Sequence, residues 1–209
     1  AGEPWNGRNA LNGAMLALHG IDMLRQHVRP ETRIGSYIVD GGRASNVVPD
    51  YAEVECCIRH SERAYLDTVV EKVMKCFEGA AIATETTYDV RQMGEKFDNM
   101  VWNETATQAA EQVLSDMGIA YEAPKDCGSS DVGNVSHQCP ALHLHLALGD
   151  VPMPEHSVEI ANAVKDPAIE PIIVRGAEIM GRLAILLGSD ETRCQAMMDE
   201  FKGHVAVRV

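Results

Sequence analysis

The sequence predicts a mixed α/β fold of the α+β kind, in two parts, on three observations. To about residue 92 the periodicity runs helix, strand, strand, helix, strand. After the polar stretch QMGEKFDN it changes to a helix, a Gly/Ser-rich loop, an alternating segment and a long helix. A chain of 209 residues with 45% hydrophobic content can bury a core, in one domain or two small ones.

The first helix follows from Leu11, Ala14, Met15, Leu18, Ile21, Leu24 and Val28, a helical stripe with Asn9 placed to cap it and Pro30 to stop it. RIGSYIVDGG then reads as a strand closing in a Gly41-Gly42 turn. YAEVECCIRH alternates strictly, with Ala52, Val54, Cys56 and Ile58 on one face and Tyr51, Glu53, Glu55, Cys57 and Arg59 on the other. Leu66, Val69, Val70, Val73, Met74 and Phe77 form a second amphipathic helix, ended by Gly79, and TETTYDV reads as a third strand. This order is a ferredoxin-like split unit without its first strand, which in that topology lies inside the sheet.

The second part opens with a helix from about Asn103 to Met117, stopped by Gly118, then the loop CGSSDVGNV. ALHLHLAL alternates like a strand and DVPMPEHS is a loop. Asp166-Pro167 caps a long helix through Ile172, Ile173, Ile179, Met180, Leu183 and Leu187 to Gly188, and Ser189 caps a last helix to about Lys202.

Charge excludes one class of partner. Lys and Arg total 18 against 31 Asp and Glu, a net charge of -13, which repels phosphate backbones and anionic membranes. The six Cys residues show no CxxC pair and no framework spacing, so they read as reduced thiols of a cytoplasmic protein. No apolar run reaches the roughly 20 residues that span a bilayer, and AGEPWNGRNA lacks a signal peptide's charged start and apolar middle.

Few residues point to chemistry by themselves. His156, in a loop between the alternating segment and the long helix, suits a metal ligand or an exposed loop histidine. His143 and His145 share a face at i, i+2 spacing, for chelation or for the less apolar side of a strand, and the flanking leucines favour the second. CGSSDVGN offers backbone N–H groups and hydroxyls for a carboxylate or phosphate, or is a plain loop; it lacks the Lys and spacing of a nucleotide-binding loop. Arg59 is either half of a cross-strand ion pair or a guanidinium held on a sheet for a carboxylate. Asn46, in the turn SNVVP, is a turn residue or an amide that reaches substrate. A Ser or Cys hydrolase has no G-x-S-x-G elbow to support it.

Taken in order, AGEPWNGRNALNG, GGRASNVVPDYAEVECCIRH, GSSDVGNVSHQCP and PEHS before the long helix resemble the zinc aminoacylase and carboxypeptidase family, and within it most the amidohydrolases that cleave p-aminobenzoyl-glutamate. The resemblance runs to about residue 202; GHVAVRV matches nothing in it. It implies a ferredoxin-like lid that also dimerises, at residues 1–92, and the closing portion of an α/β metallopeptidase catalytic domain, at 93–209. It makes His156 similar to the last metal ligand. Asn46 and Arg59 resemble lid residues that hold the substrate carboxylate or the developing oxyanion, and Gly128 and Ser129 a loop gripping the terminal carboxylate.

The same resemblance implies that the first metal His, the bridging Asp, the general-base Glu with its neighbouring ligand, and the lid His all lie upstream of Ala1. One ligand cannot hold zinc in the geometry that activates water. The expectation is therefore part of a zinc amidohydrolase that cleaves an amide bond next to a free carboxylate and is inactive alone, with no catalytic residue and no bound cofactor of its own. It is expected to pair as a homodimer through the lid, or to be complemented by an N-terminal polypeptide. The competing expectation is a non-catalytic dimerisation or small-molecule-binding module.

Overall fold

A computed structural model describes residues 2–122, 128–149, 153–154 and 156–206, and the chain divides into two units, Ala1–Lys96 and Phe97–Val209. The architecture is α+β, mainly helical with one small antiparallel sheet.

In the first unit α1 (Ala10–Leu24) begins where Asn9 accepts a hydrogen bond from the Asn12 N–H, as the sequence predicts. Ile21 of the predicted stripe is fully buried, with Leu18 and Leu24 packed on the same core, but Met15 is 55% exposed and the small residues Gly13 and Ala17 are buried instead. The cause is close packing against α2 (Arg63–Thr84), where a Cβ on Gly20 would lie 3.3 Å from Cys76 Cβ and one on Gly13 would lie 3.1 Å from the Thr84 hydroxyl. Small residues set the helix spacing, and Ile21 packs into the core beside them.

β1 (Arg33–Asp40) and β2 (Glu53–Arg59) pair antiparallel, with Ile34 opposite Ile58 and Arg33 opposite Arg59, and an irregularity at Ile38/Asp40. Ile21, Ile34, Val69 and Val73 form the core, with Leu18, Leu24, Val28, Cys56, Ile58, Tyr65 and Phe77 packed around them. Gly42 turns the hairpin loop at φ +105, where a Cβ would meet Pro49 Cγ at 2.8 Å, so only glycine fits.

Two expectations for this unit fail. Gly79 does not end α2, which continues to Thr84 and stops at Glu85 in the left-handed conformation, φ 54. The cost of about 1 kcal/mol for a helical glycine is outweighed where Ala80 and Ala81 are buried on the far side of it. TETTYDV forms no strand: among the described residues the sheet has two strands, and the segment pairs with neither.

In the second unit α3 (Glu104–Asp116) starts at Asn103, whose side chain accepts from Ala106 N–H, and gives way to Gly118 at φ +66. It packs on α6 (Glu170–Ser189) and α7 (Glu191–Ala206), and Val113, Leu114 and Ile179 are the buried centre. Between α3 and α6 lie α4 (Val132–Ser136) and α5 (Val158–Ala163).

Sequence reasoning missed both short helices, having taken VGNV as loop. It also placed the cap of α7 at Ser189. Ser189 is the last residue of α6; Asp190 accepts from Arg193 N–H instead, and α7 passes Lys202. ALHLHLAL carries no strand, for the same want of a partner among the described residues. Asp166 accepts from Ala168 N–H, but what it caps is the 3-10 turn Pro167–Ile169 that leads into α6, and α6 itself has no side-chain cap.

Candidate functional site

In the first unit Asn46 stands exposed in the turn where Val47 N–H donates to Ala44 C=O. The loop around it is anchored by Ala10 N–H donating to Pro49 C=O at 2.9 Å, so the start of α1 holds it. Arg59 is the exposed last residue of β2. The two lie at opposite ends of β2 and its loop, and the strand between them puts about 20 Å of chain between turn and guanidinium.

The open face of the hairpin carries Arg33 and Arg59, then Gly35 and Cys57, then Tyr37 and Glu55. Tyr37 donates its hydroxyl to Glu55 at 3.1 Å, and that hydrogen bond, with the carboxylate's charge, pushes the phenol pKa up. The Cys56 thiol on the covered face is pushed up by burial, which makes it a poor nucleophile.

A histidine that sequence reasoning passed over closes this corner. His60 has a side chain 2% exposed. Its Nδ1 accepts from Glu62 N–H at 2.9 Å and its ring lies 4.6 Å from that of Tyr65. With Nδ1 an acceptor, the neutral ring carries its proton on Nε2. That nitrogen has no hydrogen-bond partner among the described residues, the Glu31 carboxylate standing off at 4.0 Å. A ligating Nε2 needs its proton on Nδ1, so His60 is built as a corner post. Arg29 lies over the Tyr65 ring at 4.1 Å and pairs with Glu62 at 2.8 Å, bracing the same turn.

A groove of about 380 Å³ is lined by Pro4, Gly7, Arg8, Asn9, Asn12, Val48, Ala83 and Thr84. Its cation is engaged, since Arg8 pairs with Glu85, and Asn9 is occupied in capping α1.

In the second unit the Gly/Ser-rich motif separates into two kinds of residue. Gly128 and Ser129 are exposed, and a Cβ on Gly128 would touch nothing. The later residues are structural. Gly133 lies against the Asp98 carbonyl so closely that no Cβ fits. Asn134 accepts from Asp98 N–H at 3.0 Å. Ser136, 1% exposed, accepts from Val101 N–H at 2.8 Å and donates to Gly133 C=O at 2.6 Å. The motif's specificity in sequence is therefore largely that of a brace for the segment 98–101.

His156 is exposed and adopts φ 57, one of two non-glycine residues described with positive φ. Ser157 follows as the cap of α5, accepting from Ile160 N–H. His143 and His145 are exposed with ring centroids 4.5 Å apart, so they do share a side without a strand to align them.

Among the described residues no group of three or more His, Cys, Asp or Glu could hold a metal ion. His156 thus has no companion ligands among them, and the residues present do not by themselves fit a metal centre. Among those residues no helix is long and apolar enough to cross a membrane.

Comparison with known proteins bears on all of this. Residues 1–85 match the peptidase dimerisation domain family. The Xaa-Arg dipeptidase of Mus musculus is 28% identical over 207 residues, 97% of this chain and 48% of its own length. A p-aminobenzoyl-glutamate hydrolase subunit of Escherichia coli strain K12 is 34% identical over 119 residues, 56% of this chain and 24% of its own. The N-acetyldiaminopimelate deacetylase of Leuconostoc citreum is 31% identical over 138 residues, 64% of this chain and 34% of its own. The chain spans about half the length of the dipeptidases it matches. The first unit thus matches a peptidase dimerisation domain, and the chain as a whole is similar to peptidases and amidohydrolases of this kind.

Proposed function

We propose that this chain is part of a metal-dependent amidohydrolase that cleaves an amide bond next to a free carboxylate, in substrates of the N-acyl or aminobenzoyl amino acid type. Residues 1–92 serve as lid and homodimerisation domain and 93–209 as the closing portion of the catalytic domain. Asn46 and Arg59 hold the substrate carboxylate or the developing oxyanion, Gly128 and Ser129 grip a terminal carboxylate, and His156 contributes one ligand to a zinc centre whose other ligands and general base come from a preceding polypeptide. Zinc would supply a Lewis acid and an activated water. The compartment is the cytoplasm.

The observation that carries this reading is the backbone of His156. A side chain with a Cβ held at φ 57 costs free energy that glycine would avoid, and an exposed imidazole returns nothing to packing. Retaining histidine there is explained by what the ring binds. Arg59 on a rigid strand matches the need for a positioned guanidinium to orient a carboxylate. A second reading is a non-catalytic dimerisation or small-molecule-binding module, which the match of residues 1–85 to a dimerisation domain supports.

Zinc content after dialysis, measured alongside hydrolysis of an aminobenzoyl-glutamate amide with and without added zinc, tests the reading. The 209-residue chain is expected to hold no zinc and turn nothing over, and a longer protein that includes it to do both. Stoichiometric zinc with turnover by the chain itself would refute the division of the site, and an inactive zinc-free longer protein would refute the amidohydrolase assignment.

A further inference from the structure

Just past the paired residues of the hairpin the chain buries two polar atoms. The ladder ends at Arg33 opposite Arg59, with Ile34 opposite Ile58 one step inside. Continuing that register outward sets Thr32 across from His60, and strand alternation puts both on the face that Ile34 and Ile58 turn to the core. Thr32 is 9% exposed and the His60 side chain 2%. The Thr32 hydroxyl and His60 Nε2 are both buried, and neither has a hydrogen-bond partner among the described residues. A buried polar atom left that way carries its full desolvation penalty, so two at one corner call for a shared partner.

The hydrogen positions say what that partner is. His60 Nδ1 accepts from Glu62 N–H at 2.9 Å, so in the neutral ring Nε2 carries the proton and donates. Glu31, the residue before Thr32, holds Oε2 4.0 Å from that nitrogen. This is too long for a direct hydrogen bond and is a separation that one water can bridge. The nearby guanidiniums are engaged elsewhere: Arg29 pairs with Glu62 at 2.8 Å over the Tyr65 ring, and Arg33 donates to the Pro30 and Thr32 carbonyls. A donor, an acceptor and a hydroxyl that can be either suit a species that both accepts and donates. They do not suit a metal cation, which Nε2–H cannot ligate, or an anion, which the Glu31 carboxylate would repel.

We propose that Thr32, His60 and Glu31 hold one internal water, which accepts from His60 Nε2–H, donates to the Glu31 carboxylate and hydrogen-bonds the Thr32 hydroxyl. Three partners is the usual number for a buried water. Glu31, with a side chain 64% exposed, covers the site on its solvent side. The water ties the start of β1 to the turn between β2 and α2, beyond the point where the ladder stops. It thereby fixes the chain one residue from Arg59, and it stands whatever Arg59 binds.

A high-resolution crystal structure of the full chain tests this directly. One solvent peak is expected roughly 2.7–3.2 Å from the Thr32 hydroxyl, from His60 Nε2 and from the nearer Glu31 oxygen. No peak there, or a Thr32 hydroxyl bonded straight to His60, overturns the proposal. Crystals soaked in zinc chloride should show no anomalous density at that point; a zinc peak overturns the assignment to water. In solution, long-range proton–nitrogen correlation spectra should place the His60 proton on Nε2, and a proton on Nδ1 overturns the donor role. Thr32→Val and His60→Asn complete the test, since asparagine keeps an acceptor for Glu62 N–H but reaches no further. Thr32→Val should lower the unfolding equilibrium's bias to the folded state roughly tenfold in the unsubstituted chain and by clearly less beside His60→Asn, where the water has already lost a partner. Equal losses in both backgrounds overturn the shared site. If His60→Asn does not fold, the density and the ring proton decide the matter.

Discussion

Replacing His156 by glycine separates two roles that an alanine substitution would confound. The residue sits at φ 57 with its side chain exposed. A residue with a Cβ in this region costs about 1–2 kcal/mol, somewhat less for histidine, which is enriched there. Glycine avoids that cost but loses about 0.5–1 kcal/mol more backbone entropy on folding. The difference is a stabilisation of about 0–1 kcal/mol for His156→Gly, and close to zero for His156→Ala, which keeps the strain and loses only an exposed ring. Circular dichroism on heating reads the first quantity. In the longer protein, zinc retention and turnover should fall for both variants. A folded state destabilised by about 1 kcal/mol or more in His156→Gly would show that the imidazole is structural, and full zinc retention would show that it is not a ligand. Either result refutes the argument from backbone strain.

Other substitutions test the fold directly. Gly79→Ala, inside α2 with nothing within 4 Å of a new Cβ, should stabilise by about 1 kcal/mol in urea unfolding; a loss would restore Gly79 as the helix stop. Gly133→Ala must displace the Asp98 backbone and is expected to cost about 3 kcal/mol or more, seen as loss of the cooperative transition of the second unit. Glu200 accepts from Glu104 N–H, Thr105 N–H and the Thr105 hydroxyl at 2.5, 3.0 and 2.8 Å. Burial pushes its carboxyl pKa up, but these hydrogen bonds, with His204 beside it, more than offset that and hold it below the usual range. Its stabilisation is therefore complete above the unfolded carboxylate pKa of about 4.3 and lost as pH falls through the lower folded value. Glu200→Gln should cost about 1–2 kcal/mol at neutral pH and flatten the acid limb of stability against pH; an unchanged acid limb would refute the role.

What was legible in the sequence was mostly local. Asn9 caps α1 where it was expected to, Asp166 caps the 3-10 turn that leads into α6, and α3 starts at Asn103 as read, because a cap needs only its own next three residues. The end of α2 was not legible, since whether Gly79 stops a helix depends on what Ala80 and Ala81 pack against. The same holds for Gly13 and Ala17 of α1, buried by the approach of α2, whereas Ile21 stood in the predicted stripe. In the candidate site, Arg59 was placed correctly at the end of its strand. Its partner Arg33 was not foreseen, because an irregularity at Ile38/Asp40 shifts the register away from anything a loop length specifies. Glu200 reaches α3 across 96 positions of chain, and no periodicity reports a contact of that kind.

The two segments read as strands that form none, one of them alternating, show why strand-like patterning is weaker evidence than it looks. Alternation records which side chains share a face; a strand also needs a second backbone to accept and donate hydrogen bonds. Residues 141–148 have the first without the second: Leu146 lies over α6, its Cδ1 3.0 Å from where a Cβ on Gly176 would be, yet among the described residues no backbone N–H of the segment is bonded. The 87–90 stretch, after Thr86 N–H has donated to Ala81 C=O, is in the same state. Amide hydrogen exchange distinguishes pattern from pairing. The amides of 141–148 and 87–90 should exchange within seconds to minutes near neutral pH, while those paired between β1 and β2 are slower by orders of magnitude. Protection of 141–148 equal to that of the hairpin would mean that a partner strand is present in the isolated chain, and the account of why its alternation produces no strand would be wrong.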